Sequence, residues 1–332
     1  MKAFVTGANG FIGTHLAGKL AQDGHQVTVL VRKMSNASEF AEKGMKVVNG
    51  DIFDKEKLRA GIEGCDWVFH LAAYARPTSI DRNTPYRTNV EGTINILDIA
   101  EECRVKKVVL TSTAGTMGFS KNGLPVSEET NKEPVYQTEY ERTKALTEKI
   151  AFERSAVMNV TVVNPSRVFG PGKLTSSNSV TRIIKFYGAG FWRIIPGDGT
   201  AIGNYSYISD VANGHILAAM YGKSGERYIL GGENLTFAEL FDSLGKAWGR
   251  ERRMLRIGRH GLKRITHLSG IIAGMVGKPA LISDKWIDKY LMDSILSSNK
   301  ARIDLSYNIT PFAEALQTTV DWLKSDGKKN GK

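Results

Sequence analysis

Lys2-Ala3-Phe4-Val5-Thr6-Gly7-Ala8-Asn9-Gly10-Phe11-Ile12-Gly13 opens the chain and decides the fold. Lys2–Thr6 is apolar and strand-like. Phe11–Gln22 carries Ile12, Leu16 and Leu20 four apart, which predicts a helix with one buried stripe. Between them, Gly7, Gly10 and Gly13 have the spacing GxxGxxG. Gly7 permits a tight turn, Gly10 lets backbone approach a pyrophosphate, and Gly13 lets the helix lie close to the strand. Phe11 and Ile12 open the helix, whose N-terminal N–H groups favour an anion. A glycine triplet that closes a first strand and opens a first helix predicts a dinucleotide site at Gly7, Gly10, Phe11, Ile12 and Gly13.

Working outward, strands alternate with helices. Gln26–Val31, Lys46–Val48, Trp67–Leu71, Val108–Leu110 and Val160–Val163 read as strands. Lys55–Ile62, Val90–Cys103 and Glu139–Phe152 read as helices. This predicts an α/β fold, a Rossmann doubly wound parallel sheet with helices on both faces, plus a smaller α/β C-terminal substrate lobe. The expected bounds are 1–170 for the dinucleotide-binding domain, with a return around 203–220. Residues 171–202 and 221–325 form the expected substrate lobe, and 326–332 a flexible tail.

Composition narrows the classes. The 332 residues are 42% hydrophobic and 24% charged, which excludes disordered, collagen-like and coiled-coil readings. Cys65 and Cys103 cannot make a disulfide framework or a cysteine metal site, so no metal and a cytoplasmic setting are expected. The motif begins too early for a signal peptide, and the longest apolar candidate, Gly270–Gly277, is too short to span a bilayer. The net charge is +11. Between Lys246 and Arg264 eight Lys/Arg face Glu251 alone, a stretch read first as a solvated helix face. No regular aromatics accompany it, so nucleic acid is not expected. The apolar Leu268–Val276 follows, which leaves weak peripheral membrane contact through 246–276 open.

The second strand runs into Arg32 and Lys33, where an acid would serve the ribose hydroxyls of NAD. Cations there suit a 2′-phosphate, and NADP(H) is expected rather than NAD(H). Asp51 and Ile52 follow the third strand, with Asp51 available to the adenine amine. Leu71, Ala72 and Ala73 end the fourth, small enough for a cofactor to lie across the strand ends.

Tyr140-Glu141-Arg142-Thr143-Lys144 is YxxxK on a predicted helix, so Tyr140 and Lys144 share one face. A tyrosine titrates near pH 10 unaided, and an adjacent ammonium would favour the phenolate. With TGANGFIG, HLAA at 70–73 and Thr111-Ser112-Thr113, the chain resembles the extended short-chain dehydrogenase/reductases. The resemblance implies catalysis by Thr113, Tyr140 and Lys144, with Thr113 rather than Ser112 on the substrate carbonyl and Lys144 also on the nicotinamide ribose. Pro165–Gly172 resembles the segment passing the nicotinamide, which adds Pro165 and Val168. Asn89 fits as a buried polar brace, and Asp210 is read as a helix N-cap. A homodimer through a helix bundle is common in the family.

Nucleotide-sugar members of the family carry an arginine where this chain has Gly203, which speaks against such a substrate. Arg193 or the 246–264 cluster remain as other sources of that cation. Thr111–Thr116 resembles the branch of dihydroflavonol reductase and 3β-hydroxysteroid dehydrogenase. The expected activity is NADP(H)-dependent carbonyl reduction or alcohol oxidation on a small molecule. Phe186, Tyr187, Phe191, Trp192 and Trp248 suggest a lipophilic one. The alternatives are a nucleotide-sugar epimerase or dehydratase, and an NADP(H)-binding sensor without turnover.

Overall fold

A computed structural model describes residues 1–33, 37–75, 83–130, 134–174, 178–264 and 284–329. Its centre is a seven-stranded sheet in the order β3-β2-β1-β4-β5-β6-β10. These strands are β1 (Lys2–Thr6), β2 (Gln26–Val31), β3 (Lys46–Asn49), β4 (Trp67–His70), β5 (Lys107–Thr111), β6 (Val160–Pro165) and β10 (Arg227–Leu230). Every pairing is parallel, with Val5 opposite both Val29 and Phe69. The strand order reverses between β1 and β4, and in such sheets a crevice opens at that point outside the carboxyl ends. β4, β5 and β6 are buried along their whole length, as strands covered on both faces must be.

On one face α1 (Phe11–Gln22) and α8 (Ile208–Tyr221) bring Leu16, Leu20, Val211 and Ile216 onto Val5, Val29 and Phe69. On the other, α3 (Lys55–Ile62), α5 (Gly92–Glu102) and α6 (Glu139–Arg154) bring Leu58, Ile62, Ile96 and Ala151 onto Phe4, Val68 and Val108. The sequence reading of α1 and α3 agrees with the structure at both ends. α5 differs. It is preceded by a π-helical turn, Arg87–Glu91, that carries Asn89 into the interior. There Asn89 Oδ1 accepts from Tyr74 N (2.6 Å) and Nδ2 donates to Thr143 Oγ1 (2.9 Å), so it does brace two segments.

The second lobe has a three-stranded sheet, β11 (Glu233–Thr236), β9 (Ile202–Tyr207) and β7 (Arg167–Phe169), and a two-stranded one, β12 (Leu255–Ile257) with β8 (Ile194–Pro196). Helices α7 (Ser179–Ala189), α9 (Phe237–Trp248) and Phe312–Lys329 close its core around Ile184, Tyr187, Phe241, Leu244 and Leu316. The chain's return to the first lobe is longer than expected. Beyond α8 it includes β10, and Ala301, Leu305 and Tyr307 complete the same core.

Asp210 is not an N-cap. β9 runs directly into α8, whose cap is Tyr207, so Asp210 already lies in the first helical turn. It accepts from Thr310 N and Thr310 Oγ1, both at 2.7 Å, and pins the C-terminal segment instead. The basic stretch is not one helix face either. It runs from the end of α9 through β12 into a helical segment, with Lys246 on Asp242 and both Arg259 and Lys263 on Asp288. Residues 265–276, on which membrane contact was to rest, lie outside the described residues, and so do 330–332 of the expected tail. Among the described residues no helix is long and apolar enough to cross a membrane.

Candidate active site

The glycine loop is built by contact. Gly7 takes φ +67°, and a Cβ there would lie 2.6 Å from Ala72 N. A Cβ on Gly13 would lie 2.2 Å from Gly7 O, so only glycine lets α1 start this close to the turn. Gly10 N donates to Gly7 O at 2.8 Å, and Thr14 Oγ1 donates to Ala8 O and Gly10 O. Gly10 caps α1 without a side-chain hydrogen bond, and the first turn holds no acid. The N–H groups at Phe11, Ile12 and Gly13 are thus offered to the cleft, which suits an anionic phosphate.

The neighbouring strand ends are tied to this loop. Thr6 Oγ1 accepts from Leu71 N and Ala72 N (3.2 Å each) and donates to His70 Nδ1 (2.7 Å). His70 Nε2 in turn meets Thr93 Oγ1 at 3.0 Å. Burial, with Lys144 adding to it, holds His70 neutral, its pKa lowered to about 3. Arg32 and Lys33 are exposed on the cleft wall, and Asp51 Oδ1 accepts from Phe53 N at 3.2 Å.

Across the cleft, α6 starts at a capping box in which Thr138 and Glu141 serve each other's backbone N–H groups. Tyr140 and Lys144 follow one turn apart. Lys144 is 1% exposed, and Tyr140 is half-buried. Burial lowers the Lys144 amine to about 8, against the pull of Glu148, and raises the Tyr140 phenol to about 12, with Glu141 adding to it. In the protein alone, therefore, desolvation outweighs the phenolate-favouring effect expected from Lys144. Both groups are driven toward their neutral forms.

Thr113 and Ser112 separate clearly. Thr113 is half-buried and its Oγ1 accepts from Gly115 N at 3.2 Å. The Ser112 hydroxyl is buried and donates to Glu148. Glu148 also accepts from Thr116 Oγ1 and Asn164 Nδ2 (2.7 Å each) and from Arg227 Nη1 (3.2 Å). Asn164 and Thr116 both donate to Thr113 O, so this buried carboxylate organises the segment that presents Thr113. Sequence reasoning passed Glu148 over, although it stands one turn beyond Lys144 on the same face.

All the candidate residues meet on one cleft of about 1590 Å³. Its wall includes Gly7, Gly10, Phe11, Ile12, Gly13, Arg32, Lys33, Asp51, Ile52, Leu71, Ala72 and Ala73, then Thr113, Tyr140, Lys144, Pro165 and Val168. The expected apolar wall is a different matter. Phe186, Tyr187, Phe191, Trp192 and Trp248 are absent from that lining. Tyr187 is core, Trp192 and Trp248 pack on it, and Phe191 is 82% exposed, so these five give no reason for a lipophilic substrate. The lobe side of the cleft is lined by Ser166, Arg167, Asn204, Lys289 and Ser294. Neither Arg193, which donates to Gly190 O, nor the 246–264 stretch reaches the cleft. The cation near Gly203 is Arg167. A Cβ on Gly203 would lie 2.1 Å from its Nη1.

The model of the "NAD dependent epimerase/dehydratase family" matches residues 3–231, which span the glycine loop, β5, α6 and β10. Sterol demethylase protein B of Methylococcus capsulatus is 30% identical over 258 residues, 77% of this chain and 77% of its own. The 3beta-hydroxysteroid-dehydrogenase/decarboxylase isoform 1 of Arabidopsis thaliana is 25% identical over 355 residues, 96% of this chain and 78% of its own. Among solved structures, that of gox2253 superposes with a TM-score of 0.82 at 29% identity, covering 98% of each chain. The sheet order, the glycine loop and the match across most of the first lobe agree: this chain belongs to the extended short-chain dehydrogenase/reductases, within the NAD-dependent epimerase/dehydratase family.

Proposed function

We propose that the protein is an NADP(H)-dependent carbonyl reductase or alcohol dehydrogenase acting on a small molecule. The observation that carries the reading is the meeting of Thr113, Tyr140 and Lys144 on the same cleft as an uncapped, acid-free helix N-terminus. When bound, a nicotinamide supplies or accepts hydride at the carbonyl carbon. The α1 N-terminus and glycine loop hold its pyrophosphate, Arg32 and Lys33 the 2′-phosphate, Asp51 the adenine, and Lys144 the ribose. Thr113 Oγ1 and Tyr140 Oη donate to the substrate oxygen. A phenol near 12 keeps its proton at neutral pH, so Tyr140 is poised as the acid of the reductive direction. Its proton passes to the oxygen as the alcohol forms. The Lys144 amine, near 8, is largely charged at pH 7 and lowers the cost of the phenolate left behind.

A nucleotide-sugar epimerase or dehydratase is the second reading, and Arg167 over Gly203 favours it, since a cation does stand in that part of the cleft. A panel of ketones and UDP-sugars with NADPH separates the two. Ketone-dependent loss of NADPH absorbance is expected. Sugar conversion with no net absorbance change would overturn the first reading. Arg32→Asp tests the cofactor assignment. It replaces attraction at the 2′-phosphate by repulsion, so NADPH affinity should fall more than about tenfold while NADH use holds or improves. A wild type that prefers NADH would refute it.

A further inference from the structure

We infer that Arg167 binds an anionic group of the substrate, a carboxylate or phosphate oxyanion, at the lobe side of the cleft. This rests on the reading of the cleft as a substrate site. Arg167 opens β7 and lines the cleft half-buried. Its guanidinium lies over the rings of Tyr290, Tyr205 and Phe237, with centroids at 5.2, 5.6 and 5.9 Å. Three rings hold the plane still and strip water from its faces, while the N–H groups at its edge remain available.

Those donors are poorly matched within the chain. The guanidinium makes one hydrogen bond, Nη1 to Tyr205 Oη at 3.4 Å, and no ion pair among the described residues. Two other partly buried arginines, Arg154 and Arg227, are matched by carboxylates. Arg154 meets Asp98 and Glu101, and Arg227 meets Glu148 and the Glu128 carbonyl. A fixed guanidinium with vacant edge donors is complementary to a planar or tetrahedral oxyanion, which it can grip with two parallel hydrogen bonds.

The surroundings favour the same ligand. Asp51 and Glu139 are the carboxylates on the described cleft wall, against Arg32, Lys33, Arg142, Lys144, Arg167 and Lys289. Asp51 follows β3, and Glu139 is paired with Arg142. Ser166 and Ser294 also line this wall, with Ser166 Oγ donating to Ser206 Oγ, whereas the Asn204 amide is engaged by Gly232 and Asn234. Lys289 adds positive charge while paired with Glu141. Gly203 completes the device, because any side chain there would displace Nη1. The substrate thus carries its charge at one end and its carbonyl where Thr113 and Tyr140 meet it.

The test uses the full chain with NADP⁺ and two matched pairs of compounds, benzoylformate against its methyl ester and UDP against uridine. Calorimetric titration reads binding without turnover. At least one anion should bind about tenfold or more tightly than its neutral partner, the scale of one charge-assisted hydrogen bond. Preference for UDP identifies a phosphate, and preference for benzoylformate a carboxylate. Arg167→Met should abolish the preference and leave the NADP⁺ affinity unchanged. Gly203→Ala, which displaces the guanidinium while retaining its charge, should weaken the preference and serves if Arg167→Met does not fold. Equal binding within both pairs, or a preference that survives loss or displacement of Arg167, would overturn the inference. A protein that shows the preference but reduces no ketone would instead refute the proposed activity.

Discussion

Thr113 and Ser112 are adjacent hydroxyls with different employment, and a pair of alanine variants separates them. Thr113 Oγ1 faces the cleft and, among the described residues, supports only the Gly115 amide. Its loss should cut kcat by tenfold or more, about the value of one hydrogen bond to a developing charge, and leave Tm within a degree or two of wild type. Ser112→Ala deprives buried Glu148 of a donor and should cost about 1–3 kcal/mol of stability with a smaller effect on kcat. The reverse pattern would assign catalysis to the wrong hydroxyl. Tyr140→Phe should lower turnover at least about 100-fold with NADPH affinity retained, and turnover near wild type would remove Tyr140 as the acid. The positions of Tyr140 and Lys144 were legible because helical spacing alone puts them on one face. Glu148 was not, because a glutamate on a helix ordinarily reads as solvated. Its burial depends on Asn164 and Arg227, which reach it from β6 and β10.

At the level of elements, the loop between β1 and α1 was legible because its residues interact with one another. Gly13→Ala tests that reading. A methyl 2.2 Å from Gly7 O must push α1 away from the turn. The expected cost is about 1–3 kcal/mol, the range for overpacking a close contact, with cofactor affinity weakened more than tenfold. Gly18→Ala is the control, since a Cβ there meets nothing within 4 Å on the same helix. Equal effects of the two variants would show that helix propensity, not close approach, accounts for Gly13. Sequence reasoning failed where an element's neighbour lies far along the chain. The π turn before α5 surrounds Asn89, whose partners are Tyr74 and Thr143, and Asp210 was misread because Thr310 is a hundred residues away. Arg167 meets Tyr290 within the second lobe from a strand far back along the chain, so no local pattern announces them.

Across the whole molecule, buried histidines link the sheet to its helices and make stability depend on pH. His70 joins β4 to Thr6 of β1 and Thr93 of α5, and His215 of α8 meets Thr111 of β5 at 2.9 Å and Val211 O at 2.7 Å. Burial lowers them to about 3 and about 4, from an ordinary 6.5. A folded-state value below the unfolded one means that the unfolded chain takes up protons first. Stability supplied by the neutral imidazoles is therefore full above pH 6.5 and is lost as pH falls toward 4. Each histidine contributes a slope that approaches about 1.4 kcal/mol per pH unit, and the pair about 2.7. Asp210 and Glu128, raised by burial, act in the opposite sense at lower pH, so a difference between variants isolates the histidines. In urea unfolding at pH 7.5, 6.5, 5.5 and 4.5, His215→Gln should start less stable, since its two hydrogen bonds are disturbed. Between pH 6 and 4.5, however, it should lose stability less steeply than wild type, by up to about 1.4 kcal/mol per unit. Parallel curves for the two proteins would mean that His215 is not the proton acceptor, whatever its effect on stability at neutral pH.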